Sequence, residues 1–232
     1  MNANIIMKAN QIIKTCDTAY FGSIDKNGYP VVTTVSVIKP DDIFEVYFST
    51  GLESGKVERL SKNNKASLCF KNEGGNITLV GETEIFTDQE TKSRYWLDWF
   101  KDIYPGGETD PNYCIIKLTT KHVNLWLGDE GAVFSIDELL TVQSYCGLLC
   151  NGCTYKESHG CVGCLALKGK PFWGECDVAA CCISKDYVHC GECADMPCEN
   201  LKNMSCGDDD ECDKPKGARI EICKAWSKHI TT

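Results

Sequence analysis

The sequence predicts a mainly β (α+β) protein in two parts: an antiparallel β-barrel, then a small cysteine-rich metal-binding domain. Three observations predict this. Short runs of alternating apolar residues recur through the first half, separated by turn signals. The connections between them are too short for parallel strand–helix–strand units. Fourteen of the 17 cysteines fall between Cys146 and Cys223, and only Cys16, Cys69 and Cys114 precede them. That asymmetry places domains at residues 1–130 and 144–232, with residues 131–143 as a linker.

The elements follow in order. Ile5, Ile6, Ala9, Ile12, Ile13 and Cys16 recur at helical spacing and predict a short amphipathic helix. AYFGSID and YPVVTTVSVI flank Lys26-Asn27-Gly28, and Asn-Gly is a strong hairpin signal. Pro40-Asp41-Asp42 turns the chain into a third strand, IFEVYFST. SGKVERLSKNNK reads as a helix capped by Ser54. ASLCF and NITLVGETEIF are two further strands. Thr87 to Glu90 fits a capping box that opens a helix through DQETKSRYWLDWFKDIY, with Trp96, Trp99, Phe100 and Ile103 on one face. YCIIKLTTKHVNLWL supplies one or two closing strands. Six or so strands with two helices are best satisfied by an antiparallel barrel.

Charge excludes some function classes. The net charge is −9, with 14 basic and 20 acidic residues up to position 139 and 10 and 13 beyond it. Neither half offers the basic face that nucleic acids attract. No apolar run approaches the roughly 20 residues needed to span a bilayer. Lys8, Asn10, Gln11 and Lys14 interrupt any signal-peptide pattern near the start. The expectation is a soluble, cytoplasmic protein.

YFSTGLESGKVERLSKNNKASLCF, LVGETEIFTDQETKSRYW, YPGGETDPNYCIIKL and LWLG occur in an order that resembles the general-stress-protein branch of the pyridoxamine-phosphate-oxidase-like family. The resemblance spans roughly residues 10–130 and implies a Greek-key split barrel that dimerises and binds FMN at the subunit interface. On it, the FMN-binding positions are Thr34, Val35, Ser36, Val37, Ser49, Thr50, Ser54, Lys56, Asn76 and Trp126. Asn76 and Trp126 approach the flavin from the second subunit. The chemistry is reasonable. Ser54 and Lys56 open a helix, whose free amides and dipole favour an anion, and Thr50 adds a second hydroxyl. Taken alone, Ser54 would be only a helix cap and Lys56 only a solvated lysine. Thr34 falls where relatives often carry a phosphate-binding arginine, which leaves the cradle less charged. The namesake oxidase holds its substrate with arginine and histidine after a late tryptophan-glycine. Here the segment is Gly128-Asp129-Glu130-Gly131-Ala132-Val133-Phe134, which would repel a phosphate. Lys39 matches a substrate lysine but does not make a site by itself. Oxidation of pyridoxamine phosphate is therefore not expected.

The second half reads C-x3-C-x2-C at Cys146, Cys150 and Cys153, and C-x2-C at Cys161 and Cys164. Cys176 and Cys181-Cys182 follow, then C-x2-C-x4-C at Cys190, Cys193 and Cys198. Two knuckles of this kind can surround one tetrahedral ion. The expected ligands are Cys146, Cys150, Cys153, Cys161, Cys164, Cys176, Cys181, Cys190, Cys193 and Cys198. The expected metal is zinc, with an iron–sulfur cluster as the alternative. A disulfide scaffold suits exported domains rather than this chain. With few large apolar residues, metal binding would supply most of the folding energy. His159 and His189 border the knuckles and could substitute as ligands, but with so many thiols nearby each reads as a surface residue. YCGLLCNGC…GCVGC…CDVAACC…HCGECADMPCENL also resembles a cysteine-rich domain of unknown function regarded as a zinc binder, over about residues 144–204. Cys206, Cys212 and Cys223 lie beyond it with no role assigned.

Two functions are consistent with these features. One is an FMN-dependent oxidoreductase acting on a small molecule, with NAD(P)H or a protein as electron donor. The other is a non-catalytic FMN- and zinc-binding sensor or interaction protein, because no substrate clamp is evident.

Overall fold

The alternation of the first half becomes seven antiparallel strands in the computed structural model, which describes residues 3–38, 40, 42–208, 212–213 and 215–230. They are β1 (Thr18–Ile24), β2 (Pro30–Ile38), β3 (Glu45–Gly51), β4 (Lys65–Asn72), β5 (Gly75–Phe86), β6 (Tyr113–Leu127) and β7 (Glu130–Ser135). The order is β3-β2-β1-β4-β5-β6-β7, and β3 also pairs with β6, so six strands close on themselves. The chain divides into two units, Ala9–Ile136 and Asp137–Thr232 together with Met1–Lys8.

Within the barrel unit, one face of each strand points inward. Phe21, Phe48, Leu68, Phe70, Ile77, Leu79 and Ile116 are completely buried. The β1–β2 hairpin forms where Asn27-Gly28 predicts it. Asp25 anchors the turn by accepting from the amides of Asn27 and Tyr29, at 2.8 and 2.9 Å. Closure needs a close crossing of β5 and β6. The register shifts at Val80/Gly81, and a Cβ on Gly81 would lie 2.0 Å from the Thr119 carbonyl oxygen. Only glycine fits there.

The predicted helix after Phe86 is shorter than expected. α3 covers only Gln89–Arg94 and is capped by Asp88 rather than Thr87, the Asp88 carboxylate accepting from the Thr91 amide. Tertiary packing ends it. Tyr95 stacks on Tyr47 with ring centroids 4.2 Å apart, and Trp96 meets Tyr113 edge-on at 5.2 Å. The chain resumes as a 3-10 turn at Asp98–Asp102, leaving Phe100 buried but Trp99 and Ile103 exposed. These four residues therefore do not share one face.

The segment expected as a linker, residues 131–143, carries regular structure. Its first part is β7, which pairs with β6 from His122↔Ser135 to Leu127↔Glu130. A short helix, α4 (Ile136–Leu140), follows. The break between units falls after Ile136, within the expected linker range.

The remaining helices are α1 (Ala3–Thr15), α2 (Gly55–Lys62), α5 (Tyr155–Ser158), α6 (Asp177–Ser184), α7 (Glu199–Cys206) and α8 (Ala218–His229). The cysteine-rich unit has a genuine core. Val178, Leu201, Ile220 and Ile222 are buried in it, and Trp226 is completely buried with its indole N–H on the Leu139 carbonyl at 3.0 Å. Among the described residues no helix is long and apolar enough to cross a membrane.

Candidate functional site

The barrel's most ligand-like feature is the corner between β3 and α2. Ser54 caps α2, its hydroxyl accepting from the Val57 amide at 3.4 Å. Thr50, at the end of β3 and 6% exposed, places its hydroxyl 3.2 Å from that of Ser54. The amides of Gly55 and Lys56 find no acceptor among the described residues. The corner thus gathers two hydroxyls and two open amides around one helix N-terminus, with Lys56 in the first turn. That is a donor set for a phosphate.

The strand positions divide by face. Thr34 and Ser36 point out of the barrel, whereas Val35 and Val37 are 5% and 6% exposed and face the core. The two valines can offer a ligand only their backbone. β2 and β3 pair only at Val37↔Phe48 and Ile38↔Tyr47. Beyond that rung Thr34–Ser36 and Ser49–Thr50 line two separate strands near the corner. Burial raises the Tyr104 phenol, with Ser49 acting in the opposite direction. Asn76 and Trp126 are opposite each other on β5 and β6, and the exposed Trp126 ring lies over Gly131 of β7. Thr50 pairs with Cys114 near the start of β6, whereas Trp126 lies at the far end of that 15-residue strand, on the order of 40 Å along it. One chain therefore does not bring Asn76 and Trp126 to the corner. Lys39 lies outside the described residues.

The thiols of the second unit are all free. Cys146, Cys182, Cys190 and Cys223 are buried core residues. The sulfurs of Cys182 and Cys190 stand 3.4 Å apart, and Cys190 and Cys223 share one buried core cluster. Cys182 and Cys223 were not among the expected ligands. Nothing in the spacing marks them, since α8 lies beyond the knuckles. The Cys182 thiol is held far above its usual range by its bond to Cys190 and by burial. Cys164 is pushed up to about 12, chiefly by burial, with Cys146, Cys150 and Cys176 nearby. Cys181, Cys182, Cys190, Cys193 and Cys198 line a cavity of about 60 Å³, and the Lys185 ammonium is 3.6 Å from the Cys193 sulfur. The Lys216 ammonium is raised chiefly by its bond to Asp208, with smaller contributions from Cys206 and Cys212.

His189 is not a surface residue. It is 1% exposed and packs on Trp226 at 5.3 Å. Its Nδ1 accepts from the Gly191 amide at 3.0 Å, which puts the ring proton on Nε2. A metal on Nε2 would need that proton on Nδ1, so His189 is not arranged as a ligand. His159 is exposed, stacked on Phe172 at 4.2 Å.

Comparison with known proteins matches this architecture. The profile described as "Pyridoxamine 5'-phosphate oxidase like" matches residues 5–142, more than half of the chain. The chain belongs to the pyridoxamine 5'-phosphate oxidase-like family. A second profile, a protein of unknown function (DUF3795), matches residues 142–203. The chain is similar in structure to a general-stress-protein-26-related protein of the pyridoxinephosphate oxidase family from Clostridium acetobutylicum. That match has a TM-score of 0.55 and 29% identity, covering 60% of this chain and 99% of the other. General stress protein 26 from Bacillus anthracis matches with a TM-score of 0.50 and 19% identity, over 57% and 99% of the two chains. A putative general stress protein 26 from Jannaschia gives 0.50 and 16%, over 58% and 99%. No curated protein matches the chain.

For a member of the pyridoxamine 5'-phosphate oxidase-like family, the β3–α2 corner fits the phosphate end of FMN, since its donors converge at an open helix start. The thiol unit is different. Its donors suit zinc, but no three His, Cys, Asp or Glu side chains among the described residues are grouped to hold an ion.

Proposed function

We propose that the chain is an FMN-binding flavoprotein that works as a homodimer and reduces a small molecule with electrons from NAD(P)H or a protein donor. The observation that carries this is the Thr50–Ser54 hydroxyl pair, 3.2 Å apart at the start of α2 beside the open Gly55 and Lys56 amides. Thr34 and Ser36, with the backbone at Val35 and Val37, would run along the flavin. Asn76 and Trp126 would reach the flavin of a second copy, which is consistent with their distance from the corner. Tyr20, Val32, Trp126 and Val133 are exposed on the barrel, as a covered dimer face would require. Bound FMN supplies two-electron redox chemistry, while the chain binds and orients it.

Zinc in the thiol unit remains part of this proposal. Its support is the C-x2-C spacing and the array of free thiols, not a ready-made centre. Buried neutral thiols become thiolates only when a cation compensates them.

A second reading, a sensor or interaction protein in which FMN and zinc are structural, rests on the missing substrate clamp. Where a cationic clamp would be needed, Gly128–Phe134 offers none, and most of that segment is β7.

The test is direct. The protein is mixed with FMN, desalted, and examined for a flavin band and for zinc and iron per chain. NADH and NADPH oxidation is then followed with quinone, nitroaromatic and oxygen acceptors. Flavin retention with turnover supports the oxidoreductase, flavin retention without turnover supports the sensor, and no retained flavin refutes both.

A further inference from the structure

Arg59 sits on α2 one turn beyond Gly55, and the sequence gives it no special mark. Residues four apart share a helix face, and helical side chains lean toward the N-terminus. Arg59 follows that rule. A Cβ placed on Gly55 would meet its Nη1 at 3.2 Å, so the guanidinium lies back over the first residue of the helix. It is fixed there, since Nε donates to the Ser23 hydroxyl at 2.8 Å, and Ser23 is buried on β1.

The guanidinium has no ion-pair partner of its own among the described residues, although Glu58 lies close enough to feel its charge. Glu58 itself pairs with Lys62 at 2.8 Å. A partly buried guanidinium at a helix N-terminus places one positive charge beside another, which is unfavourable without an anion. Ser23 occupies a single one of its five N–H groups. The rest form a rigid fork suited to phosphate oxygens.

We infer that Arg59 is a phosphate-binding residue of this corner and supplies the guanidinium that Thr34 does not. This inference rests on the FMN reading above and deepens it. The ligand group is a phosphomonoester dianion, gripped by Arg59 together with Thr50, Ser54 and the Gly55 and Lys56 amides. Gly55 takes part by having no side chain, which leaves the space over the helix start to the guanidinium.

FMN and riboflavin differ by that phosphate alone, so they separate a phosphate-binding role from a general loss of folding. Both are titrated by flavin fluorescence into the full-length wild type, R59Q, R59K and S23A, with a thermal melt of each. R59Q removes a charge-assisted hydrogen bond to the phosphate, which raises the FMN Kd by roughly 10- to 100-fold and leaves the riboflavin Kd within about twofold. R59K recovers part of the FMN affinity, and S23A, which frees the guanidinium but keeps its charge, weakens FMN by only about two- to fivefold. Equal FMN affinity in wild type and R59Q overturns the assignment while leaving FMN binding intact. Parallel losses for FMN and riboflavin overturn it as well, since they show a structural role. A wild type that binds neither flavin overturns the FMN reading and Arg59's role with it.

Discussion

The two units are held together differently. The barrel unit buries large aromatic and aliphatic side chains along strands of up to 15 residues, and all but β7 are fixed by two neighbours. The cysteine-rich unit has helices of 4–12 residues and a core in which Cys146, Cys182, Cys190 and Cys223 stand beside Val178, Leu201 and Ile220. In the first unit a cysteine is an incidental small apolar residue, as with Cys114. In the second, thiols are the packing material and also the candidate ligands. The difference teaches that a cysteine-rich stretch need not lack a hydrophobic core. Buried thiols behave as small hydrophobes until a cation draws off their protons.

The sharpest way to break this comparison is to damage the barrel core. Phe48→Ala removes a fully buried ring 5.0 Å from Phe21 and should cost about 3–5 kcal/mol. It should abolish flavin retention while leaving hydrogen-exchange protection in α6 to α8 unchanged. Loss of protection in both units would show that they fold as one.

Removing metal acts on the other side. If zinc is bound, a strong chelator should collapse protection across residues 146–223 and leave the barrel's melting temperature within about 2 °C. No change in either unit would mean that thiol packing alone sustains the second unit.

A smaller effect is expected from Trp226→Phe. It keeps most of the buried ring but leaves the Leu139 carbonyl without its donor, which should cost about 1–3 kcal/mol. The loss should appear in the cysteine-rich unit alone, by urea denaturation followed through exchange at α8.

The smallest effect is chemical. Burial pushes the Cys114 thiol up to about 11, and its S–H donates to the Thr50 carbonyl at 3.1 Å. Its alkylation by iodoacetamide should therefore stay slow at pH 8 and rise about tenfold per pH unit toward that value. Mass spectrometry of the labelled peptides should find Cys16 and Cys69, both partly exposed, modified before Cys114.

Much of the barrel was legible because its signals are local. Asn27-Gly28 marks the hairpin, and Val31 to Ile38 carry the alternation. Ser54 marks the start of α2, and with it the hydroxyl pair at the corner. What was not legible depends on distant partners. The β3–β6 pairing that closes the barrel joins Glu45 to Thr119, and no local pattern encodes it. α3 ends early because Tyr95 and Trp96 find aromatic partners on other strands. The burial of His189 depends on Trp226, which lies 37 positions later. Residue type also hides role, since core Cys182 and rim Cys181 are adjacent and identical in the sequence. Arg59 is the intermediate case. Its spacing from Gly55 is visible, but its missing carboxylate is not.

The central claim is that the start of α2 grips the phosphate of a flavin, and backbone amides report on this most directly. Hydrogen exchange measured by mass spectrometry, with and without FMN, follows the peptide covering residues 50–60. The account predicts that FMN slows exchange at Gly55 and Lys56, and that riboflavin does so far less. Protection elsewhere in the barrel, with residues 50–60 unchanged, would contradict it.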